Sequence, residues 1–308
     1  ELTLRRLWSW LQAPLERMRF LASSSEVCAP LRGGALASAL HGCSRIGDPT
    51  MQEVYAAILK RVVVPFLAMI HTWMTEGELQ DPFGEFFVCA NASVPLEDIW
   101  THMYSLEIEM VPCFMTLELA RKILLTGKSV NFIRLCCPGQ DRLPARISEP
   151  SAPQGSAGAG DERTLRGLLL ADLGVRVEQA ATRTNRHLVS LVMNQYALGE
   201  HCLALRSFLL LGQGDFVESL MDLAALELGK DAEKVQKHQL MGILDMAIRQ
   251  SNAQYLPADI IARLGVKLLR PSAGEQAWDV FLLDYAIDFP LHVVFTPAAM
   301  QQYDRAFA

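Results

Sequence analysis

Apolar residues recur along most of this chain at the three-to-four-residue spacing of an α-helix. From Pro49 to Glu76, Val54, Ile58 and Val62 run on into Phe66, Met69, Ile70 and Trp73 as one stripe. Asp48 stands where an N-cap belongs, Pro49 takes the first helical position and Gly77 marks the stop. Pro65 falls inside this pattern and predicts a bend or a division there. A second helical region runs from Ile99 to Cys136, interrupted near Val111-Pro112. Its weakest point is Gly127, because glycine costs about 1 kcal/mol against alanine in a helix interior.

Residues 138–161 abandon the pattern: proline, glycine and serine replace the large apolar side chains, and the segment cannot offset its ordering entropy by burial. A flexible surface loop or insertion is expected there. Helical spacing resumes through Thr164 to Val177 and Leu188, Leu191, Val192, Leu198, Cys202, Leu205 and Leu209, as one long helix entering LLLGQGDF. Asp215 is placed to cap the next helix, whose buried face is Phe216, Leu220 and Leu223. A further helix covers His238 to Ser251. Alternation with period two then marks short strands at Val266–Leu268, at Trp278, Val280 and Leu282, and at Val293-Val294-Phe295. With Phe289-Pro290 as a turn they form a small meander, and Pro297 restarts a helix toward Tyr303 and Phe307. The fold class is therefore mainly α: an elongated helical-bundle scaffold with a small antiparallel β meander near the C-terminal end.

At 308 residues and 51% hydrophobic, the chain has enough apolar surface for a large core, and two domains are the natural division. A net charge of -6 leaves no basic footprint of the kind that nucleic-acid binding requires, so no nucleic-acid partner is expected. The seven cysteines are odd in number, scattered and without a CxxC, which fits reduced thiols in an intracellular compartment. The start ELTLRRLWSW lacks an initiator Met and a signal pattern, and no run of eighteen apolar residues occurs, so no membrane partner is expected. Together with an end at QQYDRAFA inside a helical pattern, the missing Met reads as a piece cut from a longer protein.

Chemistry could reside in Gly77–Phe87, GELQDPFGEFF, where Glu78, Asp81 and Glu85 place three carboxylates among three phenylalanines. Their spacing is not that of a calcium loop. Asp81-Pro82 reads as an N-cap followed by proline at the first helical position, and Phe86-Phe87-Val88 reads as core. Structural punctuation accounts for every residue, a protein-binding surface is the next reading, and a carboxylate-dependent hydrolase using Glu78, Asp81 and Glu85 is the alternative. Thr126-Gly127-Lys128-Ser129 resembles the end of a phosphate loop, but Lys122 stands where the motif needs its first glycine. Gly212-Gln213-Gly214-Asp215-Phe216 has two glycines of a dinucleotide fingerprint with Val217 at the third position, so a tight turn between helices explains it better. The histidines show no HxxxH or HExxH, and GxSxG is absent, so no catalytic residue, cofactor or metal is assigned.

Taken in order, several landmarks resemble those of the gamma-tubulin complex components, the proteins with two Grip motifs. These are HGCSRIGDP with Gly47, Asp48 and Pro49; Trp73; GELQDPFGEFFV with Gly77, Asp81, Pro82, Glu85, Phe86 and Phe87; Trp100 and Tyr104; VPCFM; ILLTGKSVNFIR with Gly127 and Lys128; and LLLGQGDF with Gly212, Gln213, Gly214, Asp215 and Phe216. SNAQY, LGVKLL, WDVFLLDY and VVFT are similar to the third component of that family. The resemblance implies a non-catalytic scaffold for microtubule nucleation, with gamma-tubulin and other complex components as partners. It implies a cytoplasmic, cytoskeletal location at a microtubule-organising centre such as a centrosome or spindle pole. Residues 1–195 would be the first Grip domain, which assembles laterally, and 196–308 the truncated beginning of the second, which binds gamma-tubulin. The motif positions named above would then be structural or protein-binding. A generic helical adaptor unrelated to microtubules is the alternative.

Overall fold

Helices dominate the computed structural model, which describes residues 3–45, 47–91, 93–95, 98–137, 162–270 and 274–307. The expected loop at 138–161 lies outside the described residues. Spatial clustering divides the chain into Glu1–Leu188 and Val189–Ala308.

The first unit begins with α1 (Leu4–Cys28), capped by the Thr3 hydroxyl, which accepts the Arg6 N–H at 3.4 Å. Helix α2 (Gly33–Cys43) follows, and α3 (Pro49–Glu76) runs between the bounds that its stripe and Gly77 predict. Pro65 does not divide it: proline removes one backbone bond, and the burial of Phe66, Ile70, Trp73 and Met74 just beyond holds the helix together. By length and hydropathy, 1.6 over its most apolar 18-residue window, the Met51–Glu76 portion could cross a bilayer, which the sequence reading missed. That test is also passed by core helices, and those four buried side chains belong to the core of this unit.

The Ile99–Cys136 helix is a correction. Only Leu117–Cys136 (α4) is helical, opened by the Thr116 hydroxyl accepting from Leu119 N–H at 3.3 Å. Tyr104–Leu106 (β2) instead pairs antiparallel with Val88–Ala90 (β1), with Val88 opposite Leu106 and Ala90 opposite Tyr104, and Ile108–Met110 is a 3₁₀ turn. Three-residue strands are too short to print a period in the sequence, and Pro112 keeps Val111 before it out of helical conformation. Helix α5 (Glu162–Ser190) contributes Val177 and Ala180 to a core built on Phe66, Trp73, Phe86, Phe87, Tyr104 and Ile123.

In the second unit the expected long helix is interrupted. After α5 comes a π turn at Leu191–Gln195, and Ala197 adopts φ +48, a left-handed conformation that a right-handed helix cannot pass through. A new helix, α6 (Leu198–Phe208), starts there, followed by α7 (Gly214–Leu228), α8 (Lys237–Gln250) and the short α9 (Ala258–Ala262). The meander is smaller than expected: β3 (Leu264–Leu268) pairs antiparallel only with β4 (Phe281–Tyr285), Val266 opposite Leu283. Trp278 and Val280 lie in a helical turn, α10 (Ala277–Val280), opened by a capping box of Gln276 and Asp279. Val293-Val294-Phe295 is not a strand. The N–H groups of Val294 and Phe295 both bond to Leu291 O, at 2.9 and 3.0 Å, which satisfies the backbone locally and turns Phe295 into the core. Helix α11 (Pro297–Phe307) closes the chain as expected, its Phe307 ring edge-on to Phe281.

Candidate functional site

The landmarks of the first unit converge on Trp73. The turn spacing of α3 carries this side chain inward, where none of it is exposed, and its indole Nε1 donates to Ile123 O of α4 at 3.1 Å. Gly127, one turn further along α4, makes the approach possible: a Cβ there would lie 2.0 Å from Trp73 Cε2 and Nε1. The predicted weak point is thus uninterrupted helix, and its glycine serves interhelix packing instead of a break. Tyr104 stacks edge-on against Trp73 with ring centroids 4.7 Å apart, which ties β2 to the same contact.

Gly77 ends α3 with φ +64, and a Cβ would lie 2.6 Å from Asn131 N, so both backbone angle and space demand glycine. Its carbonyl accepts from Asn131 Nδ2 at 2.7 Å, which fixes the direction in which the chain leaves the helix. Glu78 pairs with Arg134 of α4. Asp81 departs from expectation. Residues 82–84 form a turn, not a helix, and the carboxylate spans it, Oδ1 accepting from Glu85 N at 2.9 Å and Oδ2 from Phe86 N at 2.8 Å. Proline at 82 and Gly84 at φ +64 suit that turn. Phe86 and Phe87 are thereby aimed into the core against Phe66, at 5.8 and 5.7 Å between centroids. Glu85 contributes its backbone: a Cβ on Gly33 of α2 would lie 1.9 Å from Glu85 O.

The three carboxylates therefore do not share a site. Glu78 faces an arginine and Asp81 faces two amides. Among the described residues no group of three or more His, Cys, Asp or Glu is placed to hold a metal. A cavity of about 50 Å³ in this unit is lined by Leu67, Ile70, His71, Met74, Leu173, Arg176 and Val177 and contains none of the three acids.

Lys128 sits inside α4, where backbone amides are spent on the helix and cannot cradle a phosphate. Its Nζ donates to Trp100 O at 3.1 Å, and burial pulls its ammonium below the usual lysine range. The Trp100 ring meets Phe132 edge-on at 6.0 Å. Gly47, Asp48 and Pro49 stay apart from this cluster at the start of α3, where Gln52 N bonds to Asp48 O at 3.0 Å. Burial pushes the Cys136 thiol up to about 12 and Cys89 to about 11, opposite to what a thiolate nucleophile requires.

In the second unit, Gly212–Phe216 forms the turn between α6 and α7. Gly212 N donates to Arg206 O at 3.0 Å and Gln213 N to Ser207 O at 3.1 Å, closing the end of α6, and a Cβ on Gly212 would lie 2.7 Å from Arg206 O. Asp215 is not the N-cap, which is Gln213. It lies in the first turn of α7, and its Oδ2 accepts from Asn252 N at 2.7 Å, which holds its carboxyl below the usual carboxylate range despite some desolvation. Gly214 opens the helix and Phe216 is fully buried, edge-on to Phe208 at 5.0 Å. Near the start of α6, His201 Nδ1 and the Tyr285 hydroxyl of β4 are 2.6 Å apart in the core. Burial lowers the His201 pKa and raises that of Tyr285 to about 12.

Asn131, Arg134, Gly33 and Gly34 were missed by sequence reasoning. The paired glycines are the one local signal available: Gly34 meets Met110 O as Gly33 meets Glu85 O, so both exist for close backbone approach. Nothing in the sequence joins Asn131 to a glycine 54 positions away.

Comparison with known proteins agrees with these landmarks. Residues 1–195 match the family described as gamma tubulin complex component N-terminal, and 198–308 match gamma tubulin complex component C-terminal. Gamma-tubulin complex component 3 of Arabidopsis thaliana is 40% identical over 99% of this chain and 36% of its own length. The Homo sapiens protein of that name is 39% identical over 99% of this chain and 33% of its own length. Spindle pole body component alp6 of Schizosaccharomyces pombe is 34% identical over 99% of this chain and 36% of its own length. The chain thus spans about a third of the length of these relatives. It belongs to the gamma-tubulin complex component family.

Proposed function

We propose that this chain is part of a scaffold component of the gamma-tubulin complex, most like component 3, that supports microtubule nucleation without turning over a substrate. The observation that carries this reading is the match of both family halves in order, 1–195 and 198–308, together with relatives named for that complex. Its partners are gamma-tubulin and other components, and its place is the cytoskeletal microtubule-organising centre, in keeping with relatives named as spindle pole body components. Residues 1–195 act as the lateral-assembly domain and 196–308 as the beginning of the gamma-tubulin-binding domain.

The motif residues act in this reading by holding geometry. Trp73, Gly77, Asp81, Phe86, Phe87, Tyr104 and Gly127 lock α3, α4 and β2 together, and Gly212–Phe216 does the same for α6 and α7. A scaffold needs such rigid joints, because small angular errors accumulate when copies stand side by side. The test is size-exclusion chromatography of the full-length protein containing this chain with gamma-tubulin and component 2 of the same organism. One co-migrating complex is expected; separate peaks at about 1 µM, where a specific assembly interface should hold, would refute the reading.

A further inference from the structure

Six of the chain's seven lysines keep their charge at little cost. Lys122, Lys230, Lys234 and Lys267 each hold a carboxylate, of Glu178, Glu227, Asp231 and Asp304 in turn, and Lys60 and Lys237 stand exposed. Lys128 differs. It is half-buried on α4, between buried Gly127 and buried Ser129. An ammonium group offers three donors. Among the described residues this one has a single acceptor, the neutral carbonyl of Trp100 at 3.1 Å, and no ion pair. Water is partly stripped away and no anion replaces it, which favours the uncharged amine. Burial accordingly pulls the group below the usual lysine range, and no charged neighbour offsets it.

Losing the proton does not cost the tether to Trp100. A neutral amine keeps N–H donors for that carbonyl and gains a lone pair, so the contact that positions Nζ holds a nucleophile in place. Acyl transfer is the reaction that suits it. The lone pair attacks a thioester carbonyl, the N–C bond forms as the C–S bond breaks, and one amine proton leaves with the sulfur as free thiol. The amide so formed retains an N–H for Trp100 O and carries no charge, so the half-buried position suits the product better than the ammonium it replaces.

We infer that Lys128 is an acylation site, with an acyl thioester of coenzyme A as the donor class. The inference rests on α4 and the Trp100 carbonyl and does not depend on the assembly reading. Its test is incubation of the full-length protein containing this chain with acetyl-coenzyme A, at pH 7.5 and at pH 10, with the occupancy of each lysine followed over time by peptide mass spectrometry. At pH 7.5 Lys128 should be acetylated at least about threefold faster than Lys60 and Lys237, as a desolvated amine is. At pH 10, close to the ordinary lysine pKa of about 10.4, the exposed lysines are themselves substantially neutral and that lead should vanish or invert. Leu125→Glu places a carboxylate one turn before Lys128, at a side chain that is 52% exposed. It should slow Lys128 at least about threefold by favouring the ammonium, with Lys60 unchanged. In guanidinium-unfolded protein the three lysines should react alike. The inference is overturned if Lys128 reacts no faster than Lys60 at pH 7.5, or if its lead is equally strong at pH 10, survives unfolding, or is untouched by Leu125→Glu.

Discussion

Replacing Gly127 by alanine should reverse the usual effect of that substitution. In an open helix interior, Gly→Ala stabilises by about 0.5–1 kcal/mol through the backbone entropy of the unfolded chain. Here the new methyl would lie 2.0 Å from two atoms of the Trp73 indole, and Trp73 has nowhere to go: none of it is exposed, and Tyr104 packs against it at 4.7 Å. Overpacking of a tight core costs about 1–3 kcal/mol. If the ring shifts, the bond from Nε1 to Ile123 O at 3.1 Å is lost inside the core, at about 1–3 kcal/mol for an unsatisfied group. After the backbone gain, a net destabilisation of about 1–5 kcal/mol remains, or a fall of roughly 2–20 °C in the Tm of a unit of this size. The internal control is Gly174→Ala in α5, where a Cβ would meet nothing within 4 Å and the melt should rise slightly. Differential scanning calorimetry of both variants decides the matter. A Gly127→Ala protein that melts at or above the parent temperature would refute the Trp73–Gly127 interlock.

Other substitutions follow from the same geometry. Asp81→Ala removes the acceptor of two amides at 2.9 and 2.8 Å and should cost about 1–3 kcal/mol in urea unfolding, with Asp81→Asn intermediate. Glu78→Gln breaks a partly exposed ion pair with Arg134 and should cost less than about 1 kcal/mol, so the two acids of one stretch separate by stability alone. His201 is held neutral by burial beside Tyr285, and its folded pKa lies below the unfolded value. Its stabilising effect is therefore complete above the ordinary histidine pKa of about 6.5 and fades as pH falls below it. The second unit should melt earlier at pH 5.5 than at pH 7.5, and His201→Gln should flatten that dependence.

Long, strongly periodic helices were legible in the sequence, and α3 is the clearest case: a seven-residue stripe, a proline at the first position and a glycine at the stop determine its bounds without tertiary help. Interruptions were less legible, because their causes are not local. Gly127 carries the same composition signal whether it breaks a helix or admits an indole from another one, and only the Trp73 contact decides. Asp81 and Asp215 were each readable as a helix cap, since an aspartate before a helical pattern accepts amides. In the fold both accept amides, but Asp81 spans a turn and Asp215 reaches Asn252, 37 residues away. The strand expected at Val293–Phe295 failed for a related reason: β-branched residues favour a pleated surface, but the Leu291 carbonyl was nearer than any strand edge.

The proposal that the full-length protein containing this chain assembles with gamma-tubulin and positions it is put to the test by nucleation itself. Purified gamma-tubulin, component 2 and the full-length protein containing this chain are combined with tubulin, and new microtubules are counted by fluorescence microscopy. Nucleation should rise above the gamma-tubulin level only when all three are present, and Gly127→Ala should lower it in step with its stability. Equal microtubule numbers with and without this protein would rule out a role in nucleation.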